Sequence, residues 1–383
     1  MRVTVCILAA LAAPVVRGAP QDAWAAFTQQ FDASVDHDRI VGASVSLIRD
    51  GAVVAHHEHG FADRARGKPV NEWTIFHYGS ITKTLTAIAI MQLRDRGRLS
   101  LDDPVVRYVP ELRLVHGPID RITLRMLLSH SAGFQNPTWP YKQGRPWEPF
   151  EPTTWAQLVA MMPYQELLFE PGSRYSYSNP AFIYLARIIE QLSGDPWETY
   201  VQKNLFAPLG LTRSYFGVTP YYLAEDRSHN YTLGKEGVRD NGADFDPGIT
   251  IPNGGWNAPL TDLATYLAFL TNATHDDPAR QLLYDTVLKH SSLEEMWRPL
   301  YPTDPTAEKN PARQEWIGLS FFVLRRGSAT FIGHTGSQAG FLAFMYLNPK
   351  NGAAVVAAFN TAAPRGEDSA FSAIREAALH LIE

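Results

Sequence analysis

The stretch WIGLSFFVLRRGSATFIGHTGSQAGFLAFMYLNPKNGAAVVAAFN, residues 316–360, decides the fold. It contains the apolar runs Trp316 to Leu324, Ala329 to His334, Gly340 to Leu347 and Ala353 to Asn360. Arg326-Gly327 and Asn351-Gly352 separate two of the pairs, and glycine there accepts the positive φ of a tight hairpin. Strands joined by such short turns run antiparallel. Near the other end, Ala43 to Ile48 and Ala52 to His57 flank Asp50-Gly51 in the same way.

Working outward, helical spacing takes over. Trp24, Phe27, Phe31 and Val35 recur every three or four residues, which predicts an amphipathic first helix. Ile81 to Arg96 predicts another, stopped by Gly97, and Ser369 to Ile382 a closing one. Asn179 followed by Pro180 predicts a helix start with asparagine as N-cap, running to Ser193 before Gly194. Thr261 is expected to cap a helix through Leu270. The expectation is an α/β (α+β) protein with one antiparallel sheet drawn from both ends of the chain. The first and last helices cover that sheet. Sheet segments at about 20–100 and 261–383 would enclose a mostly helical lobe at about 101–260, with a cleft between. The loops 134–152, rich in proline and aromatics, and 301–313 would wall that cleft.

Composition narrows the function classes. The chain has 383 residues and a formal net charge of −5, too little imbalance for a nucleic-acid partner. Its one cysteine, Cys6, excludes an internal disulfide and any cysteine-based zinc site. Arg2, the apolar stretch Val3 to Val16 and Arg17-Gly18-Ala19 read as a signal peptide over residues 1–19. Residues 20–383 would then be a secreted or periplasmic protein without a membrane span. The sequence leaves its oligomeric state open.

Three short motifs carry chemistry. Ser80 and Lys83 form S-x-x-K at a helix start, so both side chains share one face. Burial there would favour a neutral lysine able to take the serine proton. Tyr177-Ser178-Asn179 is the second; a phenol beside an ammonium ionises more easily and would serve as a base. His334-Thr335-Gly336-Ser337 is the third. It would place His334 on the sheet edge, let a substrate backbone approach Gly336, and offer the Ser337 N–H as an oxyanion donor.

These motifs, in this order, resemble the serine β-lactamase and penicillin-binding-protein superfamily. The similarity is greatest to its branch of class C β-lactamases, D-aminopeptidases, D-alanyl-D-alanine carboxypeptidases and family VIII carboxylesterases. His77-Tyr78-Gly79, Leu127 to Gly133, Pro208-Leu209-Gly210-Leu211 and Gly340-Phe341 add to the likeness. The resemblance implies Ser80 as the acylated nucleophile, with Lys83 and Tyr177 sharing proton transfers. It implies Asn179 on the acyl side of the substrate, and Ser80 and Ser337 as the oxyanion pair. His334 stands where many relatives have lysine. The implied reaction is acyl transfer to Ser80 and then to water, on ester, amide or β-lactam bonds of a small molecule or peptide, with no cofactor. The alternatives are a D-alanyl or D-amino-acid peptidase of cell-wall peptides, and a non-catalytic penicillin-binding sensor.

Other signals are set aside. His57 and His59 share a strand face and read as solvated, His130 and Ser131 read as structural, and no metal is expected. Trp139, Trp147 and Trp256 are candidates for the cleft wall. No G-x-S-x-G elbow occurs, which excludes an α/β-hydrolase reading.

Overall fold

A computed structural model describes residues 21–135, 141–142, 145–146, 152–274, 276–304, 314–362 and 369–383. The expected leader, most of loop 134–152, most of loop 301–313, Trp139 and Trp147 lie outside these residues.

The main sheet has nine strands. In chain order they are β1 (Gly42–Arg49), β2 (Ala52–Asp63), β3 (Lys68–Pro69), β4 (Tyr301–Pro302), β5 (Gln314–Ile317), β6 (Phe322–Arg326), β7 (Ala329–Gln338), β8 (Phe341–Leu347) and β9 (Ala354–Phe359). Their spatial order is β4-β5-β6-β7-β8-β9-β1-β2-β3, antiparallel throughout. β9 pairs with β1, Ala43 opposite Phe359, so the two ends of the chain meet at the sheet centre.

Period-two alternation gives the sheet two dry faces. Leu342, Phe344 and Tyr346 of β8 join one cluster, with Phe27, Phe31 and Val35 of helix α1 (Gln21–His37). Ala343, Met345 and Leu347 join the other, with α2 (Thr82–Asp95), α3 (Asn179–Ser193) and α4 (Leu260–Leu270). The closing helix α5 (Ala370–Leu381) lies with α1 in the first cluster through Phe371 and Ile374. The expected covering by first and last helices is therefore observed. Asp50 and Gly51 both take positive φ, as the hairpin between β1 and β2 requires.

Several local expectations are corrected. Trp316 to Leu324 is two strands rather than one run. A Cβ on Gly318 would lie 2.2 Å from the Met296 carbonyl oxygen, and Ser320 has φ +70, so the chain kinks between β5 and β6. α3 is capped by Ser178, whose side chain accepts from the Ala181 N–H; Asn179 is the first helical residue. Two good capping residues stand side by side there, and the one before the helical φ/ψ wins. α4 starts at Leu260 without a side-chain cap, so Thr261 does not cap it. Trp256 is fully buried core, not cleft wall.

Candidate active site

Ser80 lies in a 3₁₀ turn, Gly79–Ile81, that leads into α2. Lys83, one turn on, is fully buried and donates to Ser80 Oγ at 3.1 Å and to the Asn253 carbonyl at 2.8 Å. Neither partner is a carboxylate. Burial alone drives the Lys83 pKa well down, which favours the neutral amine as a proton acceptor. The spacing of S-x-x-K thus brings the two side chains together on one face.

β7 supplies the opposite wall. Its pairing with β6 ends at Phe322 opposite Gly333, while its pairing with β8 continues to Gln338. Residues 334–338 are thus a local edge inside the sheet. A Cβ on Gly336 would lie 1.9 Å from the Tyr78 carbonyl oxygen, and one on Gly79 2.6 Å from Ser337 N. These glycines let two backbones touch, which docks β7 onto the nucleophile turn. On the side where a Cβ would lie, Gly336 packs against Tyr78; it also lines the cavity at Ser80.

His334 lies on that edge and is buried. Burial first, then the Lys83 charge, lowers its pKa to about 3. Its Nδ1 donates to the Thr335 carbonyl at 2.5 Å, leaving Nε2 as an acceptor. Phe322 stands edge-on to the ring with centroids 5.0 Å apart.

Tyr177 reaches the site from the turn before α3. Lys83 Nζ lies 4.9 Å from its ring centroid. The hydroxyl is close enough for Ser80 to lower its pKa, but burial outweighs this and raises it well above the ordinary value. No well-aligned hydrogen bond closes on the hydroxyl. The phenol therefore rests protonated, against the expectation of easy ionisation. Lys83, itself driven toward the neutral form by burial, does not ease it.

Ser80, Tyr177, Asn179, His334, Gly336 and Ser337 line one cavity of about 410 Å³, with Phe322, Leu342 and Phe371 as apolar wall. All the sequence-predicted site residues converge there, Lys83 beneath Ser80.

Two histidines were underrated. His130 is fully buried at φ +54, and its ring stacks on Tyr177 with centroids 4.3 Å apart. The Ser178 N–H donates to its Nδ1 at 3.1 Å, which puts the imidazole proton on Nε2. His130 thus fixes both ends of the Tyr177-Ser178 segment. Burial, then Lys83 and His334, push its pKa well down. His77 bridges Asn257 Oδ1 at 2.9 Å and Gln338 Oε1 at 3.1 Å, tying the end of β7 to the turn before Ser80. Burial, then the Arg227 charge, lower its pKa to about 4.

Among the described residues, the grouping with metal-ligand geometry is Asp63, His229 and Asp240. Arg66 Nε already donates to Asp63 Oδ2 at 2.6 Å, so a cation holds that carboxylate. No described helix is long and apolar enough to cross a membrane.

A model of the family described as Beta-lactamase matches residues 27–379. Esterase EstB of Burkholderia gladioli is 32% identical over 193 residues, 47% of this chain and 48% of the esterase. The chain thus spans about half the length of that relative. A β-lactamase of Pseudomonas fluorescens is 26% identical over 342 residues, 86% of this chain and 90% of that one. The octameric penicillin-binding protein homologue from Pyrococcus abyssi superposes with a TM-score of 0.74 at 26% identity, over 94% of this chain and 77% of that one.

Proposed function

The chain belongs to the β-lactamase family, and on that premise we propose that it is a serine hydrolase working through an acyl-enzyme on Ser80. The observation that carries this reading is the buried Lys83 amine 3.1 Å from Ser80 Oγ, driven toward its neutral form with no carboxylate among its hydrogen-bond partners. Lys83 takes the serine proton as Oγ attacks the carbonyl carbon of the substrate. The N–H groups of Ser80 and Ser337 receive the developing oxyanion, and the Asn179 amide holds the acyl side. Tyr177, protonated at rest, gives its proton to the leaving group and recovers one from Lys83. Water then attacks the acyl carbon over the same relay in reverse. His334 accepts a hydrogen bond through Nε2 and does not act as a fixed cation.

The scissile bond is an ester, amide or β-lactam. Among the described residues lining the cavity none carries a permanent positive charge, which favours substrates without a free carboxylate over D-alanyl peptides. We further propose that residues 101–260 are an insertion into a sheet domain, since every main-sheet strand falls within 42–69 or 301–359. Export through residues 1–19 rests on their charge and apolar pattern.

The test is a substrate panel of neutral esters, D-amino-acid amides, D-alanyl dipeptides and a chromogenic cephalosporin. Ser80→Ala should lose at least about 10³-fold in kcat on every substrate the wild type turns over, at unchanged Tm. Turnover retained in that variant refutes Ser80 as nucleophile.

A further inference from the structure

Lys83 Nζ donates to Ser80 Oγ and, at 2.8 Å, to the Asn253 carbonyl. Asn253 belongs to the four-residue helix Ile251–Gly254. The last carbonyls of a helix have no partner within it and must find one outside. The Gly255 N–H takes the Ile251 carbonyl at 2.8 Å. α2 takes the next two. Thr86 Oγ1 donates to the Pro252 carbonyl at 2.6 Å, and Lys83 to that of Asn253. The acceptors are neighbours in the chain, and the donors stand three residues apart on one face of α2. Thr86 and Lys83 are both fully buried.

The far end of this segment is tied to the nucleophile turn. Thr82 Oγ1 accepts from the Trp256 N–H at 3.0 Å and donates to the Gly79 carbonyl at 2.7 Å. The Trp256 carbonyl accepts from the Tyr78 N–H at 2.8 Å. The Thr86 bond is the tie at the near end. The Asn253 carbonyl lies between the two ties, and its position depends on both.

That oxygen bears on proton transfer in two ways. By accepting one N–H it limits the directions in which the amine can present its lone pair. A carbonyl also accepts more strongly from an ammonium than from an amine, so it steadies Lys83 once the serine proton has arrived. It carries no full charge, so it does not hold Lys83 charged beforehand.

We propose that Thr86 is a positioning residue for the acylation step: its hydroxyl fixes the Asn253 carbonyl through Pro252, and that carbonyl governs how Lys83 receives the Ser80 proton. Thr86 is absent from the walls of the cavity at Ser80, so it acts only through other groups. The inference rests on the hydrolase reading.

The test compares variants of the full chain that lose one hydroxyl. Thr86→Val keeps the shape and removes the donor. Thr84→Val is the control. Thr84 is equally buried on α2, but its hydroxyl donates to the Ile81 carbonyl and accepts from Tyr266, away from residues 251–254. The quantities read are kcat, KM, Tm and the pH profile of the rate at which a fluorophosphonate labels Ser80 with loss of fluoride. Thr86→Val should lower kcat and the labelling rate about 5–30-fold, with KM changed by less than about twofold. The acid limb of its profile should move down by about half a unit to one unit, because the ammonium loses part of its support. Tyr177, His130 and His334 also face Lys83 and are the same in every variant. Thr86→Ser keeps the hydroxyl and should recover most of the rate and the wild-type acid limb. Thr84→Val should lower Tm and leave kcat and the profile in place. Thr86→Cys, a weaker donor, should shift both in the same direction by less, and it decides the matter if the valine variant does not fold. A Thr86→Val enzyme that loses no more rate than Thr84→Val overturns the proposal, as does one whose acid limb stays put or one no slower than Thr86→Ser. Those outcomes leave the hydrolase reading intact. A wild type that neither labels nor turns over any substrate refutes that reading, and the inference falls with it.

Discussion

Two histidine clusters in this molecule follow opposite rules. At the surface, Asp32 Oδ1 meets His57 Nε2 at 2.7 Å and His59 Nδ1 at 2.9 Å, and Asp36 Oδ1 meets His59 Nε2 at 2.9 Å. Every ring there faces a carboxylate and keeps contact with water. Around Ser80, Lys83, His130 and His334 are buried together, burial lowers the pKa of each, and none has a carboxylate among its hydrogen-bond partners. The first cluster pins α1 to β2. The second is a set of buried bases that burial drives toward neutrality, beside the cavity at Ser80. What separates structure from chemistry is the missing counter-ion, not the residue type.

That contrast can be broken most sharply at Lys83. Lys83→Met keeps the apolar stem and removes the amine, so kcat should fall about 10²–10⁴-fold. Because no ion pair is lost, Tm should hold or rise; a large fall in Tm would mean that Lys83 is held charged.

Acid separates the clusters next. His77 and His334 have folded pKa values of about 4 and about 3, below the unfolded value near 6.5. Between those limits the unfolded chain binds more protons, so stability is complete above about pH 6.5 and drains away as pH falls. The loss should be on the order of 3 kcal/mol per histidine by about pH 4. Thermal melts of wild type and His334→Gln from pH 7 to 4 check this, and equal slopes would refute it.

His130→Phe sharpens the positioning role. The ring stack on Tyr177 persists, but the Ser178 N–H loses its acceptor, which costs about 1–3 kcal/mol. kcat should drop with KM little changed; His130→Asn, which can offer an acceptor, should recover part of it. The smallest effect belongs to the wet cluster. Asp32→Asn should cost about 0.2–1 kcal/mol in denaturant unfolding, less at high salt, with turnover unchanged. A drop in kcat there would erase the distinction between the clusters.

Local features were legible in the sequence and long-range ones were not. Asp50-Gly51 and Asn351-Gly352 mark their turns because positive φ selects glycine and its neighbours. Ser80 and Lys83 were readable as a pair because helix pitch alone brings them together. The Asn253 carbonyl under Lys83 left no trace, since any residue offers a carbonyl. His130 looked structural because its stack on Tyr177 spans 47 positions of chain. Gly336 was read as a door for substrate, and only the tertiary fold shows Tyr78 packed on the side where a Cβ would lie. Asn179 was mistaken for a cap because Ser178, beside it, has the same aptitude.

The pairing of β1 with β9 has a consequence for how the protein is made. Residues 43 and 359 are partners at the centre of the sheet, so a chain emerging from the ribosome cannot close its core until nearly all of it has been synthesised. Until then β1, buried along almost its whole length, has β2 on one edge and no partner on the other. Loop closure over more than three hundred residues raises the contact order, and high contact order slows folding. The same delay bears on the docking of β7 against the Ser80 turn, since β7 is held in the sheet through β8 and β9.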